Sequence, residues 1–279
     1  MFAPGLLRGK KVLVTGGGTG LGAAMAERFA ELGAHLVICG RRLEVLEETA
    51  KAIRERHGAS VDVLACDIRI PDAVEGMLDA IWTAGPLDVL INNAGALFIA
   101  QTEHLSNRAV DAVLAASLHG SIYCTLGVGR RWIEGKRRGG VVVSILSTST
   151  MTGRAFQIPT GIAKSGVLAM TRSLAVEWAS RGIRLVAIAP GRFATEGFLA
   201  RLKEGQAGGE EASDNSLERS GRPPELANLA AYLISDEASY INGEMVAIDG
   251  GRHLRNSGVE DLLERTDEQW EELRNTRRR

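Results

Sequence analysis

Lys11-Val12-Leu13-Val14-Thr15 runs directly into Gly16-Gly17-Gly18-Thr19-Gly20-Leu21-Gly22-Ala23, and the junction of these two stretches decides the fold. The first reads as a short buried strand. The second opens a helix whose Leu21, Met25, Phe29 and Leu32 fall on one stripe before Gly33 offers a C-terminal stop. Glycines between a strand and a helix let a backbone approach a diphosphate closely and leave helix-start N–H groups free to bind it. Turns also use glycine, so it is the strand-loop-helix setting that makes this a dinucleotide loop. No Gly-Lys-Ser/Thr follows, which excludes a Walker loop.

Working outward, apolar runs recur at Lys11–Thr15, His35–Cys39, Val61–Cys66, Leu87–Ile91, Val141–Leu146, Ile183–Ala189 and Glu244–Ile248. They read as strands buried on both faces, with helical periodicity between them. Such alternation demands right-handed crossovers and gives a doubly wound parallel α/β sheet, seven strands with helices on both sides, whose ligand crevice lies beyond the carboxyl ends of the strands. The 279 residues are expected to form one domain over 1–279.

Composition narrows the function classes. With 45% hydrophobic and 24% charged residues the bulk is not disordered, and 33 Lys plus Arg against 34 Asp plus Glu leave a charge of -1, which gives no field to attract nucleic acid. Cys39, Cys66 and Cys124 have no CxxC spacing, so neither a zinc site nor a disulfide framework is expected; metal ligands are expected to be absent and a reducing cytoplasm fits. The opening MFAPGLLRGK lacks a secretory pattern, and Val113–Val128, broken by Ser117, His119, Gly120 and Ser121, reads as a buried helix too short and polar to span a membrane.

Two segments depart from the pattern. Residues 203–218, KEGQAGGEEASDNSLE, are a candidate substrate lid or a plain loop, and 252–279 carry Val259, Leu262, Leu263, Trp270 and Leu273, consistent with a C-terminal helical extension. Arg130, Arg131, Lys136, Arg137 and Arg138 read as the polar end of a helix, as do Arg277, Arg278 and Arg279.

The second strand ends at Cys39-Gly40, where an NAD-preferring domain places an acid for the ribose 2'-hydroxyl. Here Arg41 and Arg42 stand instead. A guanidinium matches a 2'-phosphate in charge and geometry, which points to NADP(H); the alternative is an exposed arginine pair at a helix start. Asp67 follows the third strand, Asn92-Asn93-Ala94-Gly95 the fourth and Ser144–Ser149 the fifth, while Thr160 precedes Lys164 by four residues on a predicted helix.

With Thr-Gly-x-x-x-Gly-x-Gly at 15–22, Asn-Asn-Ala-Gly at 92–95, Ser147, Lys164, Pro190-Gly191 with Thr195, and Asp249-Gly250-Gly251, the chain resembles the short-chain dehydrogenase/reductase family over nearly its whole length. That resemblance implies a Rossmann-type fold and a homotetramer. Gly16, Thr19, Gly20, Leu21, Gly22, Ala94, Gly95, Pro190 and Gly191 would line the cofactor, Asp67 would meet the adenine and Asn93 the adenosine side. Lys164 would bind the nicotinamide ribose and Thr195 the carboxamide. Phe98-Ile99 with Thr102-Glu103, Glu225–Ala231, Ile241-Asn242-Gly243 and the tail from Ser257-Gly258 to Glu268-Gln269-Trp270 are similar, more narrowly, to 2,4-dienoyl-CoA reductases.

The departures shape the expected chemistry. The usual family tyrosine is Thr160 here and the usual asparagine is Ser117; the positions where mitochondrial dienoyl-CoA reductases carry their acting tyrosine and asparagine are Ser149 and His119. A threonine donates a hydrogen bond but barely ionises, which disfavours simple ketone reduction. Hydride addition to a conjugated thioester gathers charge on the thioester oxygen and needs donors more than a strong acid. Ser147, Thr160, Ser149 and His119 are the candidate donors, with Lys164; His119 is equally readable as a packed helix residue. The expected activity is NADPH-dependent reduction of an unsaturated acyl-CoA, with another carbonyl or enone, or an inactive NADP(H)-binding sensor or scaffold, as alternatives.

Overall fold

A computed structural model of the chain describes residues 2–136, 139–197, 199, 215–255, 262 and 265–276. Seven parallel strands form one sheet in the order β3-β2-β1-β4-β5-β6-β7. They are β1 (Lys11–Thr15), β2 (His35–Gly40), β3 (Val61–Ala65), β4 (Val89–Asn92), β5 (Gly140–Ile145), β6 (Ile183–Pro190) and β7 (Met245–Ile248). Each begins and ends within two residues of its expected place. The central strands bury both faces, as parallel strands covered by helices must. The edges β3 and β7 do not, a correction to the expectation for all seven: a strand with one neighbour has half its cover, and β3 exposes Asp62 and Ala65.

Helices α1 (Gly20–Glu31), α2 (Leu43–His57) and, late in the chain, α8 (Pro223–Ile234) pack on one face. On the other lie α3 (Pro71–Thr83), α4 (Asn107–Leu114), α5 (Gly120–Glu134) and α7 (Ile158–Glu177), with the short α6 (Ser149–Thr152) before α7. A last helix, α9 (Asp267–Thr276), holds Trp270 and Leu273 of the expected extension; Val259 and Leu263 lie outside the described residues, as do Arg137, Arg138 and 203–214 of the candidate lid.

A π-helical turn, Ala115–His119, joins α4 to α5, so Asn107–Glu134 is one helix of 28 residues. By length and composition it could cross a bilayer, which corrects the reading of 113–128 as too short. Cys124, Val128 and Trp132 nonetheless face the core between the sheet, α3 and α7, as a core helix would. Arg130 and Arg131 sit near its end and pair with Glu75, and Arg131 also with Asp79.

The strand order reverses between β1 and β4, where a doubly wound sheet opens its crevice. One hydroxyl stitches that gap. Thr15 Oγ1 donates to the Ile91 carbonyl at 3.1 Å and accepts from the N–H groups of Asn93 and Ala94 at 3.0 Å, while Asn93 Nδ2 donates to the Thr15 carbonyl at 2.9 Å. The Asn-Asn-Ala-Gly segment is thereby fixed against the glycine loop.

Candidate active site

A cleft of about 800 Å³ runs across the carboxyl ends of the strands from Arg41 to Thr195. At its centre is the glycine loop. A Cβ on Gly22 would run into the Gly16 carbonyl oxygen, so this helix–loop contact requires glycine. Gly20, at φ +56°, faces open space: a Cβ there would find nothing nearer than Thr195 at 3.8 Å. Thr19 is extended and its side chain does not cap α1, which leaves first-turn N–H groups for a ligand.

At one end of the cleft Arg41 and Arg42 are exposed and, among the described residues, make no side-chain hydrogen bond or ion pair. Asp67 is close by, with its carboxylate clasped by Arg69. Nε lies 2.9 and 3.0 Å from the two oxygens, Nη2 2.5 Å from Oδ2, and the Arg69 N–H donates at 3.1 Å. That guanidinium, with Arg41 adding to it at longer range, holds the Asp67 carboxyl below the usual carboxylate range.

At the other end, Lys164 is buried on α7. Its Nζ donates to the Ile145 carbonyl at 2.7 Å, and burial lowers its pKa to about 8. Gly95 lies against it: a Cβ there would come 3.3 Å from Lys164 Nζ and 3.1 Å from Ser117 Oγ. Ser117 is a clip for this loop, accepting from Ala96 N–H at 2.9 Å, and is not part of the cleft lining. One helical turn before Lys164, Thr160 lines the cleft with a buried Oγ1 that has no hydrogen-bond partner. Ser147 lines it too and accepts from Ser149 N–H at 3.3 Å.

Pro190, the last residue of β6, closes this end together with Gly191 and Thr195. A Cβ on Gly191 would come 2.6 Å from Asp249 Cβ; the Asp249 carboxylate accepts from Gly251 N–H, His253 N–H and His253 Nδ1 at 2.8–3.0 Å, which shows what the Asp-Gly-Gly turn braces.

Of the residues singled out in the sequence, the cleft brings together Gly16, Thr19, Leu21, Gly22, Arg41, Arg42, Asp67, Asn93, Ala94, Gly95, Ser147, Thr160, Lys164, Pro190, Gly191 and Thr195. Gly20, Ser149 and His119 are not among its lining residues. Ser149 Oγ is buried without a partner in the turn behind Ser147. His119 is exposed, its ring 6.2 Å from Tyr123. The π turn explains the correction for His119: an extra residue in the turn changes the helical phase, burying Ser117 and rotating His119 outward. Sequence reasoning missed Arg69, Arg154, Gln157 and Phe193, which line the cleft, and the apolar Leu97 and Ile99 beside Gly95. The position of Gln157, three residues before Thr160, was a usable signal; the sequence around Arg69 carried none.

A nicotinamide dinucleotide oxidoreductase is the class that this glycine cradle, switch-point crevice and buried lysine define. The family model described as "Enoyl-(Acyl carrier protein) reductase" matches residues 16–253, and the chain belongs to the short-chain dehydrogenase/reductase family, whose members bind a nicotinamide cofactor. It is 42% identical over 248 residues to a probable 2,4-dienoyl-CoA reductase [(2E)-enoyl-CoA-producing] of Bacillus subtilis, covering 88% of this chain and 97% of that protein. It is 39% identical over 280 residues to probable 2,4-dienoyl-CoA reductase 3 [(3E)-enoyl-CoA-producing] of Caenorhabditis elegans, covering 97% and 90%. A short chain dehydrogenase from Bacillus anthracis superposes with a TM-score of 0.79 at 39% identity, over 88% of this chain and 98% of that one.

Proposed function

We propose that the protein is an NADP(H)-dependent reductase of conjugated, unsaturated acyl-CoA thioesters, of the 2,4-dienoyl-CoA reductase kind. The observation that carries this reading is Thr160 in the cleft lining one turn from Lys164, with its Oγ1 buried and without a hydrogen-bond partner. An orphaned buried hydroxyl is costly unless a ligand completes it. A donor that does not ionise suits a thioester oxygen gathering charge better than an alkoxide that must take a proton. The names carried by the Bacillus subtilis and Caenorhabditis elegans relatives point to the same substrate class.

The cofactor, when bound, supplies the hydride. The chain's own part is to hold and polarise: the first turn of α1 meets the diphosphate, Arg41 and Arg42 meet the 2'-phosphate, and Lys164 fixes the nicotinamide ribose. Thr195 holds the carboxamide, while Thr160 and Ser147 donate to the thioester oxygen. We take the chain to be a single domain assembled as a homotetramer, on the family resemblance, and to work in a reducing cytoplasm, in keeping with three buried free thiols. Residues 203–218 remain the candidate lid over the acyl substrate.

A second reading, an NADP(H)-binding sensor or scaffold, is favoured by one feature: among the described residues no tyrosine lines the cleft. Incubating the protein with NADPH and a panel of dienoyl-CoA esters, enones and simple ketones separates the readings. The expected result is NADPH oxidation with dienoyl-CoA and little with ketones. Tight NADPH binding with no turnover on any of them would leave the sensor reading standing.

A further inference from the structure

The adenosine end of the cleft holds an arrangement the proposed cofactor preference does not by itself explain. Three cations, Arg41, Arg42 and Arg69, line it together with one anion, Asp67. An acid there is a liability for binding a 2'-phosphate, which carries nearly two negative charges at neutral pH. In this chain the acid is not free. After β2 and β3 pair as far as Gly40 with Ala65, Cys66 N–H still donates to the Gly40 carbonyl, so Arg41 and Asp67 leave the sheet beside each other. Asp67 then begins a turn, closed by Ile70 N–H on the Asp67 carbonyl at 3.0 Å, that folds Arg69 back over the carboxylate in a two-pronged contact. The side chain of Asp67 is about one-fifth exposed and that of Arg69 about two-fifths, so the pair forms part of the cleft wall and is not buried beneath it.

We propose that Arg69 is a positioning residue for cofactor choice: by clasping Asp67 it withdraws the acid from Arg41 and cancels its charge, so that Arg41 and Arg42 face a 2'-phosphate unopposed. This rests on the NADP(H) reading above. The four side chains carry two net positive charges, matching the phosphate, and the clasp leaves both of them on Arg41 and Arg42. Without it, the Asp67 carboxylate, which already feels the charge of Arg41, competes with the cofactor for that guanidinium. The Asp67 carboxyl is held low by Arg69 first and Arg41 second, which agrees with a carboxylate within reach of both.

The test is titration of NADPH and NADH, read as dissociation constants, against the wild type, Arg69→Ala, Arg69→Lys and Asp67→Asn/Arg69→Ala. Arg69→Ala should weaken NADPH about five- to tenfold, the scale of one partly screened charge interaction, and leave NADH within about twofold. Arg69→Lys should recover part of the loss and the double variant most of it, because it removes the exposed acid together with its clasp. Equal weakening of both cofactors, or no recovery in the double variant, would make Arg69 a merely structural residue and overturn the proposal. A wild type that binds NADH as tightly as NADPH would instead remove the NADP(H) reading, and the clasp's role with it.

Discussion

Lys164 is buried, so its positive charge comes at a cost. Its pKa falls from 10.5 to about 8 through burial, and its one hydrogen bond goes to the Ile145 carbonyl. Below about pH 8 the amine is protonated in folded and unfolded chains alike, and the cost of burying the charge is fully present. Between about 8 and 10.5 the folded form loses its proton first, the unfolded chain binds more protons, and stability rises with pH. A depression of this size corresponds to roughly 3 kcal/mol, less about 1 for the hydrogen bond. Lys164→Met is therefore expected to stabilise the fold by about 2 kcal/mol near pH 7, with the gain shrinking from about pH 8 and gone by 10.5, while abolishing turnover. Urea unfolding of both proteins from pH 6 to 10.5 checks this, and a destabilised variant at pH 7 would contradict it. Arg41 gives the complementary case at the other end of the cleft. It is exposed and, among the described residues, forms no ion pair, so Arg41→Ala should leave stability unchanged, yet weaken NADPH by roughly 1.5–3 kcal/mol, the worth of a charge-assisted hydrogen bond, with NADH unaffected. Calorimetric titration of both cofactors measures it.

At the scale of elements, the walls of the cleft are loops held by a few backbone bonds. The segment after β4 and the segment before α7 are joined where Ala100 N–H donates to the Phe156 carbonyl at 3.1 Å. Phe156 stands between Arg154 and Gln157, both in the cleft lining, at φ +64°, a conformation that suits glycine and strains an aromatic residue. Its side chain is more than half exposed, near exposed Phe98 and Ile99 in sequence order across that bond. Phe156→Gly should therefore raise stability by about 1 kcal/mol through relief of strain. If the ring meets the acyl chain, it should also raise KM for long-chain acyl-CoA several-fold with the NADPH dissociation constant unchanged. Thermal melts and steady-state kinetics with short and long esters read the two effects apart. Legibility in the sequence follows the same division. β1, β4 and the glycine loop were readable because burial on both faces demands uninterrupted apolar runs and the helix–loop contact at Gly22 admits no side chain. The exposed face of β3 was not, because edge position is a property of topology. His119 was misplaced because five residues of π-helix shift the phase of everything after them, and no periodicity in Ala115-Ala116-Ser117-Leu118-His119 announces that turn. The Asp67–Arg69 clasp escaped because a turn brought together residues whose spacing suggests nothing.

Across the whole molecule, stability and chemistry occupy opposite ends of the sheet. At the carboxyl ends lie Lys164, the glycine loop and the orphaned Thr160 hydroxyl. At the amino ends, two other cations are used as braces. Lys11, at the start of β1, donates through Nζ to the carbonyls of Ile81 and Gly85 at 3.2 and 3.1 Å, and its N–H donates to Asp88 at 2.7 Å. Arg184, near the start of β6, donates to the carbonyls of Ile241 and Leu233 at 3.0 Å and Ser235 at 3.3 Å, tying the end of α8 and the approach to β7 to the sheet. Burial lowers the Arg184 pKa, yet a guanidinium stays charged and supplies enough donors for all three carbonyls. Truncating either side chain strands carbonyl groups that water reaches poorly, at about 1–3 kcal/mol per group. Arg184→Met and Lys11→Met should each lower stability by about 2 kcal/mol or more, a melting shift of several degrees for a chain of this size. Both lie a full strand length from the cleft, so the dissociation constant for NADPH should stay within about twofold below the melting temperature. Melting curves paired with cofactor titrations of the same samples decide the matter: a variant that keeps its melting temperature but loses NADPH would place the brace in the site and not beneath it.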